Sequence, residues 1–206
     1  MTRKSNRQVI GMRARIAAAA ARIMAEDGID DFALAKRKAA RSLGAAESEA
    51  LPGNDEIEAE LRAYRELYQA EEHPQRIAEL RELAFEAMRA LESFHPYLTG
   101  PVLKGTAGPY AEIDLQLFPE SSKEVEMFLL ERNIPFATQE ARRYSGDRVH
   151  AVSVFTLLWQ DTPLKLSVFD PRDERIALKT SQAGRVMDRA GIGEVAALLR
   201  DGPGPT

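Results

Sequence analysis

Glu112-Ile113-Asp114 places two carboxylates one apolar residue apart, in the stretch of this chain best suited to chemistry. The alternation of Glu112, Asp114 and Gln116 with Ile113, Leu115 and Leu117 predicts a strand with its apolar set on a packed layer. Acids at i and i+2 on one strand lie about 7 Å apart at the backbone, from a rise of about 3.4 Å per residue. Both side chains can then lean onto one cation, and an oxygen-only pair favours Mg²⁺ or Mn²⁺ over softer metals. Upstream, Lys104-Gly105-Thr106-Ala107-Gly108 offers glycines that let a backbone approach a phosphate, and a hydroxyl on Thr106. An acidic pair facing such a turn suits phosphoryl or nucleotidyl transfer, where metal and loop neutralise the charge of an NTP substrate. Arg142, Arg143, Arg148 and Lys165 could add cations, with Arg143 and Lys104 the ones assigned to phosphate. A plainer alternative stays open: an acid–apolar–acid strand also suits a solvated sheet face, and Gly105 and Gly108 could be ordinary turn residues.

Other chemistries are excluded by composition. Without cysteine there are no disulfides, no thiolate nucleophile and no Cys-ligated zinc. His73, His95 and His150 have no metal-ligand spacing, and neither a P-loop nor a Gly-x-Ser-x-Gly elbow occurs. No apolar run approaches the roughly 20 residues that cross a bilayer, and the N-terminus lacks a signal-peptide shape. A cytoplasmic protein without a membrane partner is expected.

The elements that must position these residues fall into two halves. Residues 7–27 form an apolar-periodic segment closed by Gly28, and Asp30 or Asp31 opens a second helix ending before Gly44. After the break Leu51-Pro52-Gly53, Asn54 opens a third helix through Ile57, Leu61, Tyr64 and Tyr68. A fourth runs from His73-Pro74 to about residue 94, on Ile77, Leu80, Ala84, Ala87, Met88 and Leu91. Then β-branched and aromatic runs take over. Strands are predicted at 98–104, 111–118 and 135–142, with a helix at 121–132. A hairpin follows, 149–159 and 164–169 joined at 160–163, then short helices near Arg185 and Val195. The expected class is α+β: a helical region 1–94, a mixed-sheet domain 95–201 and a tail 202–206.

The segment Leu103-Lys104-Gly105-Thr106 followed by Ala111-Glu112-Ile113-Asp114-Leu115 resembles the signature of the polymerase-β-like nucleotidyltransferase superfamily, in its minimal bacterial form. That signature is a Gly-Ser or Gly-Thr turn before an acid–apolar–acid strand. The resemblance implies a nucleotidyltransferase-like fold to about residue 170, with Gly105 and Thr106 on the nucleotide-binding turn. It also implies Glu112 and Asp114 as metal ligands and catalytic acids. The superfamily generally adds a third carboxylate from a neighbouring strand. The candidate strand offers Lys165, Ser167 and Phe169 at its non-core positions, leaving Asp170 or Asp161 to substitute. A catalytically inactive nucleotide- or nucleic-acid-binding module is the alternative function.

Charge is unevenly spread along the chain. Residues 1–44 hold ten Lys/Arg against four Asp/Glu, giving +6, and residues 45–92 hold five against thirteen, giving −8. The basic head makes nucleic acid a candidate partner. Arg15-Ile16, Ala19-Ala20, Ile23-Met24, Gly28, Phe32 and Ala35 also resemble the first helices of tetracycline-repressor-like DNA-binding domains. The recognition helix expected after Gly44 is replaced by Ala45-Ala46-Glu47-Ser48-Glu49-Ala50, which would repel DNA.

Overall fold

The computed structural model describes every residue except Met1, Asp30, 46–50, 69–71, Pro109, 146–147, 177–178, 180–185 and 201–206. It is an α+β structure that divides into two compact units. One comprises Met1–Arg76 with Thr106–Ala111, and the other Ile77–Gly105 with Glu112–Thr206. The division therefore falls within the fourth helix, upstream of the composition change at His95-Pro96. No helix of the described residues is long and apolar enough to cross a membrane.

The first unit is helical. Helix α1 (Thr2–Asp27) packs against both α2 (Phe32–Ser42) and α3 (Asn54–Tyr68). Its interior is alanine-rich: Ile16, Ala17, Ala20, Ala21, Met24 and Ala25 meet Ala35, Ala39, Ile57 and Leu61. Such small side chains let helix backbones approach closely while still excluding water. Asp31 starts α2 by accepting hydrogen bonds from the Ala33 and Leu34 amides. Glu56 anchors the start of α3, accepting from the Gly53 amide at 2.5 Å and from the Arg13 guanidinium at 2.7 and 3.0 Å. His73 is also held here. Burial pushes its pKa down to about 4, and its Nε2 lies 3.1 Å from the Ala107 carbonyl. The neutral ring donates to that carbonyl through Nε2–H.

Helix α4 (Glu72–Ala90) begins in the first unit and ends in the second. The second unit continues through β1 (Tyr97–Thr99), α5 (Gly100–Lys104), β2 (Ile113–Leu117), α6 (Ser122–Glu131) and β3 (Phe136–Ser145). It is completed by β4 (Arg148–Trp159), β5 (Thr162–Val168), β6 (Arg189–Gly191) and α7 (Ile192–Arg200). The strands form one mixed sheet in the order β3-β4-β5-β2-β1-β6, and of its pairings only β2 with β5 is parallel. Ile113, Leu115 and Leu117 share one buried face with Leu164, Leu166, Leu98 and Ala190, their neighbours in register. The opposite face carries Glu112 and Asp114, and farther along it a cluster of Phe118, Val152, Val154 and Phe169.

Two expectations need correction. Residues 98–104 are not one strand: β1 stops at Thr99, and α5 occupies Gly100–Lys104. Pro101 lacks an amide hydrogen and has a fixed φ, so it favours a first helical turn over a strand interior. The hairpin turn is tighter than 160–163. Gln160 and Asp161 alone make it, with φ of 47° and 64°, matching the two-residue turn that suits strand twist. Strand β6 was not anticipated, and the helix expected near Arg185 and the tail 202–206 lie outside the described residues.

Candidate functional site

Asp114 occupies the middle of a cross-strand row. Thr99 of β1 lies on one side of it and Lys165 of β5 on the other, both directly in register. Because Lys165 is paired in register with Asp114, it leaves the sheet on the same face as the acid and beside it. Its ammonium meets Asp114 Oδ1 at 2.5 Å and also contacts Glu112 Oε1. Where their spacing predicts a shared divalent ion, the two acids converge on one ammonium cation. That cation belongs to the chain.

Burial dominates the electrostatics here. Desolvation lifts the Asp114 pKa above its ordinary value, and the Glu112 charge adds to the rise. Lys165 opposes both without cancelling them. For Lys165 itself, burial pulls the pKa down, but the two carboxylates outweigh it and hold the group above 10.5. Half-buried Arg143 feels the same field. Desolvation lowers its pKa against the attraction of Asp114, while its Nη1 donates to the Arg142 carbonyl at 3.1 Å.

A glycine does face the acids, but it is Gly100. This residue has φ of 74°, and a Cβ there would stand 2.8 Å from Asp114 Oδ2. The position demands glycine twice, by backbone conformation and by the space the carboxylate takes. Gly105 sits at the other end of α5, about 7.5 Å away along the axis at about 1.5 Å per residue. With φ of 70° it caps that helix, its amide donating to the Pro101 and Val102 carbonyls. Arg81 closes the same end, donating to the Val102 and Leu103 carbonyls at 3.2 and 2.9 Å. Lys104 is exposed, and Thr106 is buried within the segment belonging to the helical unit. Glu112, Asp114 and Arg143 thus share an electrostatic neighbourhood with Lys165, whereas Gly105 has a structural task at the helix end.

The donor set does not fit a divalent metal as it stands. Both carboxylates are engaged by the ammonium, and no third His, Asp or Glu joins them among the described residues. Asp170 instead caps a 3-10 turn through the Arg172 amide, and Asp161 lies in the hairpin turn. The histidines go separate ways, His150 to Asp173 at 2.9 Å and His95 to Glu174 at 3.4 Å.

Three residues escaped the sequence reading. Lys165 reads from the sequence as one of several cations available to a phosphate, with nothing to link it to the acids. Gly100 falls inside the segment expected as a strand, and only the register Thr99↔Asp114 brings it against a carboxylate. Gln116 belongs to the polar side of β2, yet it is 2% exposed and its Oε1 has no hydrogen-bond partner. Comparison with models of known protein families, with curated proteins and with solved structures finds no match to this chain.

Proposed function

We propose that the sheet-bearing unit is a nucleotidyltransferase-like module that binds a nucleotide through its phosphates and does not transfer it. One observation carries this reading: the Lys165 ammonium bridges Glu112 and Asp114. In a transferase of that kind a divalent metal polarises the phosphate and neutralises the charge that develops in flight. Here the neighbouring strand, from which the resemblance implies a third acid, sets a lysine beside Asp114. Two acids and one ammonium leave a net charge of about −1, and neighbouring Arg143 brings the group to about neutral. An ammonium has three N–H donors, and the acids engage two, leaving one for a phosphate oxygen. Arg143 supplies a second, forked donor set, and Lys104 a third cation from the α5 end. The cytoplasm, where NTPs abound and a cysteine-free chain is at home, is the compartment this reading assumes.

The competing proposal is metal-dependent transfer to an unidentified acceptor, with Mg²⁺ or Mn²⁺ on Glu112 and Asp114. The convergence of those two acids on a single cation favours it, provided Lys165 can be displaced. A single experiment separates the two. The chain is incubated with α-labelled NTPs, with Mg²⁺ or Mn²⁺ and in EDTA, while its melting temperature is followed. Stabilisation by NTP in EDTA with no labelled product or released pyrophosphate supports the binding module. Metal-dependent product that vanishes in Asp114→Asn overturns it in favour of the transferase.

A further inference from the structure

Helix α2 reads Phe-Ala-Leu-Ala-Lys-Arg-Lys-Ala-Ala-Arg-Ser, with four cations and no acid in 11 residues. Ala35 and Ala39 are its buried side, packed in the core of the helical unit. Helical periodicity then turns Arg37, Lys38 and Arg41 outward, and all three are exposed. Arg37 and Arg41 stand at i and i+4, where like charges repel and weaken a helix. Relief from within the unit is slight. Lys36 donates to Asn54 at 2.7 Å, and Lys38 reaches Asp27 only at 3.6 Å with both side chains about half exposed. Among the described residues, neither Arg37 nor Arg41 has an ion pair or a side-chain hydrogen bond.

The acids of this bundle lie elsewhere. Helix α3 carries Asp55, Glu56, Glu58, Glu60 and Glu66 against Arg62 and Arg65. Most of the charge is therefore segregated between two helices, and it is Lys36 of the α2 cations that feels Asp55 and Glu56 across them. The helix dipole accounts for a cation in the last turn of α2, which is Arg41. It does not account for Arg37 and Lys38 one turn earlier. A one-sign stripe that costs helix stability, relieved only weakly at Lys38 by Asp27, makes sense when an external polyanion supplies the missing charge. Guanidinium groups suit phosphodiesters best, because their forked donors match two phosphate oxygens. Without an aromatic on the same face to stack bases, contact is confined to the backbone and is sequence-independent.

We propose that the outward face of α2, through Arg37, Lys38 and Arg41, docks the phosphate backbone of nucleic acid. This proposal concerns the helical unit and stands apart from the nucleotide reading of the sheet unit.

The test is fluorescence anisotropy of the full chain with a labelled RNA duplex and a DNA duplex of matching sequence, from about 20 to 200 mM KCl. Three phosphate contacts predict a slope of log K against log salt of roughly −3, at about 0.9 per contact on a duplex. The combined variant R37Q/K38Q/R41Q should lose at least about tenfold in affinity at 50 mM salt and bring the slope close to zero. Its helical circular dichroism should be unchanged. Asp114→Asn, in the other unit, should leave the slope as it is, so failure of the nucleotide reading does not register here. The proposal is overturned if the wild type binds neither duplex at the lowest salt, or if it and the triple variant bind alike. Salt-sensitive self-association that the triple variant abolishes, with no duplex bound, would overturn it in favour of a second copy's acidic α3.

Discussion

Lys165 and the cations of α2 are chemically alike, but their surroundings give them opposite roles. In the sheet unit, one ammonium lies between two carboxylates, three-quarters out of solvent, with a pKa that those acids hold high. On α2, Arg37 and Arg41 stand in water beside each other with no acid of the described residues to meet them. Local composition points the other way, because Lys165 lies in an ordinary apolar strand and α2 in a conspicuous basic run. The lesson is that a cation's role depends on which charges share its dielectric environment, and strand register sets that as much as sequence proximity does.

The contrast is broken most severely by removing the buried cation. Lys165→Met leaves two partly buried acids facing each other and should cost about 3 kcal/mol in urea unfolding. Mg²⁺ or Mn²⁺ should return part of that loss in the variant while leaving the wild type almost unmoved. Equal urea midpoints for variant and wild type would mean that the ammonium is a passive neighbour. Next in size is Gly100→Ala, expected to cost about 2 kcal/mol from the left-handed backbone and the approach to Asp114 Oδ2. Gly105→Ala should cost only about 1 kcal/mol, because its new Cβ meets Arg81 at 3.5 Å and strain comes from φ alone. The two substitutions compared by thermal melts therefore report which glycine serves the acids.

A smaller effect is expected from alkali. The Lys165 pKa is higher in the folded chain than the ordinary 10.5, so its contribution to stability is complete below 10.5. That contribution drains away as pH rises through the folded value. The difference in urea midpoint between wild type and Lys165→Met should narrow above that pH, and a constant difference would contradict the pairing. Smallest is the double variant R37Q/R41Q, in which relief of like-charge repulsion is offset by loss of the Arg41 charge at the helix C-terminus, so stability should change by no more than a few tenths of a kcal/mol. A loss of more than about 1 kcal/mol in the same melts would show that these arginines hold the bundle together.

Much of the architecture could be read from local signals. The four helical stripes, the Asp31 cap, the Gly28 stop and the helix after Ser121 follow from periodicity and capping chemistry that act within a few residues. The alternation of β2 likewise indicated which side would carry the acids. What could not be read depended on contacts distant in sequence. Lys165 reaches Asp114 only because β5 returns parallel beside β2, a crossover that no local pattern announces. The run Lys104-Gly105-Thr106 has a phosphate-loop look, which points to Gly105 as the glycine of the site. Its neighbour Gly100 was hidden in a segment whose apolar residues suggested a strand until Pro101 turned it into a helix. β6 is three residues long and is defined by pairing with β1, so its own sequence held almost no signal.

Titration of Mn²⁺ into the purified chain, followed by the loss of the free-ion paramagnetic resonance signal, tests the central claim most directly. If Lys165 is the cation of the Glu112–Asp114 pair, the wild type leaves millimolar Mn²⁺ free and Lys165→Met takes up one ion. Tight uptake of one Mn²⁺ by the wild type, abolished by Asp114→Asn and no stronger in Lys165→Met, would contradict it.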